Sequence, residues 1–511
     1  MSELLLGVDS GLTVTKAVVF TPDGKPLGTG SVPSQQHHPH EGWVEKDPDE
    51  QWAGARQAIA TAIEEAGVEG SDIAAVGTTG HGDGLYTLDE QGRPARPAIL
   101  SLDGRAGALA GDWAEEGVAR RALELAGQVT FAVEPPVLLA WVKRHEPDVY
   151  RNVRHVLFCK DWLKLQLTGH LTTDPTEASA GFTNVATQRY DPELMAVYGL
   201  EDKTDALPEI VGSYQVAGEV TAAAAEATGL REGTPVVSGL HDCDASAAGS
   251  GCVRPGQLTM IAGTFSINEV ISTDPVHDER VFCRNWVEPR QWMNMGNSAA
   301  SATNLEWFVG KLAPLEVERA EQQGVSPFGF VSEEVSATLD DPSRVLYLPF
   351  LYGSPDRPDA TGAFCGLKGW HTRGHLLRAL FEGVAFNHRT HVDALRDNFE
   401  VREARLTGGG SRSQVWTQIF ADALGLPVGV TDAKEAGALG AALCAGVAAG
   451  LHPSVADGAD QAIHVARTFE PDPRRQAELD EVYQRYLHLV ETLEPVWERA
   501  TAAAGGSAPA G

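Results

Sequence analysis

The chain has 511 residues, an apolar fraction of 43% and a net charge of −30, from 40 basic against 70 acidic side chains. That excess of acid excludes a general affinity for DNA or RNA, whose phosphates require a basic footprint; an anionic ligand has to be held locally, by backbone N–H groups, a metal ion and a few placed cations. Six scattered cysteines without a CxxC pair are too few for a disulfide framework, no apolar run reaches the roughly 18 residues of a membrane helix, and MSELLLGVDS lacks signal-peptide character, so the expectation is a reduced cytoplasmic protein without a membrane partner.

In chain order, a strand-like run over Leu4–Val8 breaks at Gly11 and resumes over Lys16–Phe20, so GVDSGLTVTKAVVF (7–20) reads as a hairpin. Gly11 permits a tight turn whose successive N–H groups form an anion nest. Thr13 and Thr15 add hydroxyl donors and Lys16 a point charge, while Asp9 at the strand end suits Mg²⁺ held through water, since that hard cation keeps much of its hydration shell. A plain solvated hairpin fits the same residues, and this stretch alone does not choose. His37-His38-Pro39-His40 lies in a polar loop with no cysteine beside it and is not read as a metal site.

A helix is expected over Asp49–Ala66 and a strand over Ile73–Gly77. GTTGHGDG (77–84) then sets His81 and Asp83 among glycines, with Asp103 and Arg105 downstream. Carboxylates accept from hydroxyls and arginine donates, so these groups suit either a polyol pocket or a solvated turn. In PVVSGLHDCDASAAGSG (235–251) a strand ends at Leu240, Asp242 follows, and Ala245–Ala248 suits a helix start. A carboxylate at the carboxyl end of a strand sits where open α/β sheets meet ligands. Asp242 is thus a candidate general base; its competing role is a helix cap, for which Asp244 is better placed.

LTMIAGTFSINEVI (258–271) repeats the strand–turn–strand form of the first hairpin around Gly263 and Thr264. In RLTGGGSRSQVWTQIFADALG (405–425), Gly408-Gly409-Gly410 precedes a helix beginning near Ser413, a place where a ligand can approach backbone and helix N-terminus closely. A final helix from about Arg474 carries Leu479, Val482, Tyr483, Tyr486, Val490 and Leu493 at helical spacing, a stripe for packing on its own lobe. AAAGGSAPAG (502–511) reads as disordered. Neither GxxxxGK[ST] nor HExxH occurs. The alternation of strands and helices predicts an α/β chain; the repeated hairpin fits two related lobes, over 1–250 and 251–495 with a disordered tail over 496–511, and a chance resemblance of two hairpins would give the same pattern.

Taken together, these residues resemble the FGGY family of carbohydrate kinases over nearly the whole chain. GVDSGLTVTKAVVF is similar to the family's phosphate hairpin, GWVEKDPDEQW (42–52) to its Gly-Trp-x-Glu-x-Asp-Pro element, SLDGRA to its Trp-x-Asp-x-Arg stretch and GLHDCDASAAG to its catalytic-aspartate segment. GAFCGLKGWHTRGHLLRALFEGVAF (362–386) is close to a family signature, and TGGGSRSQVWTQIFADALGLPV and EAGALGAAL (435–443) resemble its adenosine-lobe motifs. The resemblance implies an actin/hexokinase-like (ribonuclease H-like) fold of two duplicated α/β lobes with an ATP cleft between them. It implies ATP and Mg²⁺, with phosphoryl transfer to a primary hydroxyl of a sugar or polyol. Asp242 becomes the base and Asp9 supports the metal; Gly11, Thr13, Lys16, Gly263 and Thr264 approach the phosphates; Gly408, Gly409 and Ser413 lie at the nucleotide; His81, Asp83, Asp103 and Arg105 line the sugar pocket. A homodimer is the family-level expectation.

The chain departs from the commoner pattern at Ser101, where many members carry Trp, and at Gly80-His81-Gly82-Asp83, where D-xylulose kinases have Gly-Gln-Met-His. GHGDGLYTLD, NLEWF (304–308) and LPFLYGS (348–354) resemble the L-xylulose kinase branch, and erythritol kinases share a Gly-Asp-Gly. The expectation is a kinase of a small pentulose, with an alditol kinase as the alternative and a nucleotide-binding sensor of the same superfold, or a non-catalytic sugar module, as rivals from other classes.

Overall fold

The computed structural model describes residues 3–353, 357 and 359–503. Ser354 of LPFLYGS and residues 504–511 of the tail lie outside them. The described chain forms two compact units, each discontinuous in sequence: residues 1–255, 271–294 and 432–464, and residues 256–270, 295–431 and 465 onward.

The first unit is built on a six-stranded sheet in the order Val216–Glu219, Pro235–Val237, Ile73–Gly80, Leu4–Ser10, Val14–Phe20, Pro26–Pro33. Leu4–Ser10 pairs antiparallel with Val14–Phe20, with Asp9 opposite Lys16, and parallel with Ile73–Gly80. Both central strands are buried on nearly every residue, as strands covered on two faces must be. The helix Pro48–Ala66 covers one face; Asp47 caps it by accepting from the Asp49 N–H at 2.8 Å, and Gly67 ends it in the left-handed region. The helix Ala436–Ala448 covers the other. Its alanines and glycines let backbone meet backbone, so that a Cβ on Gly77 would stand 2.0 Å from the Ala441 carbonyl oxygen. EAGALGAAL, expected in the second lobe, therefore packs in the first unit. That placement is invisible to a linear division, because a segment close to the end of the chain supplies the layer that the N-terminal sheet needs.

The second unit repeats the arrangement. Gln257–Ala262 pairs antiparallel with Ser266–Ser272 and parallel with Glu403–Thr407. Glu403–Thr407 pairs parallel with Val428–Thr431, which the strand Val465–Phe469 joins antiparallel. An antiparallel hairpin followed by two parallel strands and an antiparallel edge is thus present twice, the duplicated α/β fold expected. The final helix runs Pro473–Ala503, so residues 496–503 are helical rather than tail; buried Trp497 extends the apolar stripe past residue 495. No helix among the described residues is long and apolar enough to cross a membrane.

Candidate active site

Two groups of expected residues come together, one in each unit. In the first unit, Asp9 is the last residue but one of its strand and Lys16 lies opposite it across the hairpin. The turn between them is closed by a hydrogen bond from the Gly11 N–H to the Val14 carbonyl, at 3.0 Å. The Gly11 amide is therefore committed inside the turn, which corrects its expected place in a nest, while Thr13 is exposed at the turn. Lys16 donates from Nζ to Glu435 Oε2 at 2.7 Å, with both side chains about one-third exposed. Glu435 holds a left-handed backbone (φ 55°), a conformation that costs a non-glycine residue energy and is kept where its surroundings impose it. Next to it, a Cβ on Gly437 would stand 2.4 Å from Asp9 Oδ2, so only glycine lets this segment lie against the carboxylate. Burial pushes Asp9 up to about 6; Lys16 opposes that rise and Glu435 adds to it.

Asp242 is the first residue of the helix Asp242–Gly249, so the helix starts three residues before the expected Ala245. His241, rather than Asp244, is its N-cap. The approach to this helix is held by a buried ionic cluster. Lys160 lies 2.7 Å from Asp161 and 3.0 Å from Asp174, and both Lys160 and Lys164 donate to the Ser238 carbonyl. The His241 N–H donates to Thr176 Oγ1 at 2.8 Å, and Thr176 in turn donates to Asp174. Glu177 lies in the same region, wholly buried and with neither oxygen paired; burial pushes it well above the carboxylate range. Held neutral, it leaves two lysines against two aspartates, a balance that a fully buried cluster requires.

Burial, then the charges of Asp9 and Asp83, push Asp242 up to about 7. The carboxylate keeps 38% of its side-chain surface open; water reaching that face and the positive end of its helix both work against the rise.

Asp83 lies in the loop expected to line a sugar pocket. Like Glu435 it is a non-glycine residue in the left-handed region (φ 55°). Its Oδ1 accepts from Arg284 Nη2 at 2.8 Å. Arg284 also donates from Nε to Gln128 Oε1 at 2.9 Å and stands 3.2 Å from His241 Nε2. Glu134, fully buried with both oxygens unpaired, is pushed well above the carboxylate range by burial, against the pull of Arg284.

His81 is turned inward. Its Nε2 lies 3.1 Å from the Tyr86 hydroxyl, and burial lowers its pKa to about 3, so it is neutral. Asp103 and Arg105, expected to contact sugar, have no exposed side-chain surface. Asp103 accepts from the Val44 N–H and from Arg105; Arg105 also reaches Glu45 at 2.8 Å and stacks on Trp43 at 3.9 Å. The two therefore hold each other against Trp43, Val44 and Glu45 of the GWVEKDPDEQW element, and Arg105 Nη1 is buried without a hydrogen-bond partner.

In the second unit, Gly263, Thr264 and Gly408 meet at the repeated hairpin. Gly408 is left-handed (φ 84°), and a Cβ there would stand 2.8 Å from the Ala262 carbonyl oxygen. Gly409 follows in a short 3₁₀ turn, and Ser413 caps the helix Gln414–Leu424 by accepting from the Trp416 N–H. The Ser413 hydroxyl is thus already engaged, also with Ser332 at 3.0 Å.

His241, Arg284, Gln128, Glu134 and Glu435 escaped the sequence reading. His241 and Glu435 stood inside quoted motifs; Arg284, Gln128 and Glu134 carried no local signal.

Residues 4–249 match the N-terminal-domain model of the FGGY family of carbohydrate kinases, and residues 258–449 match its C-terminal-domain model. An L-xylulose/3-keto-L-gulonate kinase of Escherichia coli (strain K12) is 33% identical over 97% of this chain and 98% of its own. An erythritol kinase of Brucella abortus (strain 2308) is 28% identical over 97% and 98%. The crystal structure of a xylulose kinase from Rhodospirillum rubrum superimposes with a TM-score of 0.87 at 31% identity, over 97% of this chain and all of that one.

Proposed function

Because the chain belongs to the FGGY family of carbohydrate kinases, we propose that this ATP-dependent sugar kinase phosphorylates a primary hydroxyl of a small ketose, a pentulose of the L-xylulose type. One observation carries the chemistry: a carboxylate pushed up to about 7, Asp242, close enough to Asp83, which is ion-paired with Arg284, for that charge to contribute to the rise. A base with a pKa near the working pH combines the deprotonated state with useful proton affinity. Asp242 accepts the proton of the attacking hydroxyl as its oxygen meets the γ-phosphorus in line. There is little covalent work for the protein to do, so positioning and electrostatics supply most of the rate.

Asp83 accepts from a sugar hydroxyl with the lone pairs that Arg284 leaves free, and Arg284 keeps that carboxylate aimed. Thr13 and Lys16 are the proposed phosphate contacts of the first unit. Gly263, Thr264, Gly408, Gly409 and Ser413 are the proposed nucleotide contacts of the second. The donor set at Asp9 fits Mg²⁺: an oxygen ligand raised by burial, in a cradle that a Cβ at Gly437 would fill. Bound there through water, the ion would neutralise charge on the phosphates.

The L-xylulose reading draws on the 33% relative and on Gly82 and Gly84 around Asp83. The second reading, an erythritol-type alditol, draws on the Brucella relative. A coupled ADP-release screen over L-xylulose, D-xylulose, L- and D-ribulose, erythritol, xylitol and glycerol tests both. The highest kcat/KM is expected for L-xylulose. A preference for erythritol moves the assignment to the second reading, and turnover indifferent to every acceptor sinks both.

A further inference from the structure

Successive residues of a strand point to opposite faces, so the first hairpin presents two different surfaces. Asp9 and Lys16 face the side of the helix Ala436–Ala448, where Gly437 and Glu435 meet them. Ser10 and Thr15, the next pair, face the helix Pro48–Ala66. Their hydroxyls are 3.1 Å apart, and Gln51 of that helix donates from Nε2 to Ser10 Oγ at 3.1 Å. Thr15 and Gln51 also line a cavity of about 420 Å³ between residues 32–35 and the first half of the helix. The cavity therefore lies behind the hairpin, on the face away from Asp9 and Lys16, and wholly within the first unit.

The charged side chains on its lining are Lys46, Arg56 and Glu50. Glu50 is engaged by His37, at 2.8 Å. Arg56 is exposed and makes no ion pair among the described residues. Lys46 is only 1% exposed. An ammonium has three N–H groups to place, yet the one hydrogen bond Lys46 makes among the described residues is a long one, 3.4 Å to the Gly11 carbonyl. Its ionisable neighbours Cys159 and His81 carry no charge: burial pushes the thiol up to about 11 and the imidazole down to about 3. A buried cation without a counter-charge is costly. Carboxylates are abundant in a chain of net charge −30, so the lack of one at both Lys46 and Arg56 is not a matter of supply. An anion in the cavity provides the missing charge.

We propose that this cavity is a second anion site, which binds the phosphate group of a small ester through Lys46, Arg56 and the hydroxyls of Thr15 and Ser34. A lysine point charge, an arginine fork and neutral hydroxyls together suit an anion with several acceptor oxygens. The volume is more than a phosphate alone fills and lies in the range of small-molecule sites, about 300–1,000 Å³. Gln35 and Gln57 on the lining offer amide groups to the rest of the molecule. The site is separate from the proposed nucleotide contacts, since Lys16 points to the other face. It is nevertheless one hydrogen bond from the turn: Ser34 donates to the Gly11 carbonyl at 3.3 Å, and the Thr15 hydroxyl is 3.4 Å from that of Ser34. The inference stands independently of which sugar the enzyme phosphorylates.

The test is calorimetric titration of the full chain at constant ionic strength, with ribose 5-phosphate and, separately, with inorganic phosphate. A non-hydrolysable ATP analogue and Mg²⁺ are present at saturation, so that the Asp9 face is already filled. One-to-one binding of ribose 5-phosphate is expected. Lys46→Met keeps the length of the side chain without its charge and is expected to weaken binding about 10- to 100-fold, the loss of a hydrogen bond to a charged group. Arg56→Glu is expected to weaken it by at least about 10-fold. Arg120→Glu reverses an exposed arginine on the helix Val118–Ala126, outside the cavity, and is expected to leave binding unchanged. Inorganic phosphate binding as tightly as the ester assigns recognition to the phosphate group alone; weaker binding adds the body of the ester to it. Absence of binding by both probes overturns the proposal. So does wild-type affinity in K46M and R56E, or a loss in R56E that R120E reproduces. If K46M does not melt cooperatively, the contrast between R56E and R120E decides by itself.

Discussion

Replacing Gly82 with alanine tests the geometry of the site with one methyl group. Gly82 is not in the left-handed region, so alanine brings no backbone strain. Its Cβ would stand 1.8 Å from His241 Nε2, 2.4 Å from Cε1 and 2.6 Å from Cδ2. Ordinary contact begins near 3.4 Å, so the ring must retreat by about 1.6 Å. The obstacle is a side chain rather than backbone, so the fold should survive with the displacement concentrated at His241. A shift of about 1 Å in a positioned group costs on the order of 10²-fold in rate, or about 2.7 kcal/mol in the barrier at 1.36 kcal/mol per decade. A coupled ADP-release assay on G82A should therefore show kcat lower by about two decades and a melting temperature near wild type. In G82A/H241A the clash is absent, so the double variant should be no slower than H241A, a strongly non-additive cycle. Wild-type kcat in G82A, or losses that multiply in the double variant, would refute the reasoning.

Four further outcomes are expected. Because Asp242 acts deprotonated and is raised to about 7, kcat/KM should fall tenfold per pH unit below that value and level off above it; a profile flat from pH 5 to 8 would contradict the assignment. The same raised carboxyl stabilises the fold most below its unfolded value of 3.8 and loses that contribution as pH rises through about 7, so Asp242→Asn should flatten part of the urea-midpoint profile in that window. Gly440→Ala would put a Cβ 2.0 Å from the Ala245 carbonyl oxygen, and overpacking of this kind costs about 1–3 kcal/mol, more where only backbone can yield; an unchanged urea midpoint would show that the two helices are not in close contact. Chelation with EDTA should abolish turnover and added Mg²⁺ restore it, whereas turnover that persists in EDTA removes Asp9 from its proposed role.

The legible parts of the site were those written in local chemistry. Asp9 at a strand end, Asp242 after an apolar strand and Asp83 among glycines each carry a nearby signal, and the structure groups all three in one unit. The repeated hairpin showed because turn residues and alternating apolar runs recur at short range. Local chemistry misled where a polar residue turned out to be buried: Asp103 and Arg105 look like exposed ligand contacts in a string but lie against each other, Glu45 and Trp43. Gly11 misled in the same way, since its N–H closes its own turn.

By itself, then, the sequence determined that the chain is an α/β protein with two related hairpins, a large excess of acid, and carboxylates placed after apolar strands. Those properties follow from periodicity and turn composition, which act over a few residues. Only the tertiary structure decided that residues 432–464 complete the first unit, that Glu435 faces Lys16, and that Arg284 joins Asp83 to His241. Partners 43 to 419 residues apart are set by which layers can approach closely enough to bury their apolar faces. Here that approach runs through glycines and alanines on a helix and a strand far apart in the chain, and no local pattern records which of them will meet.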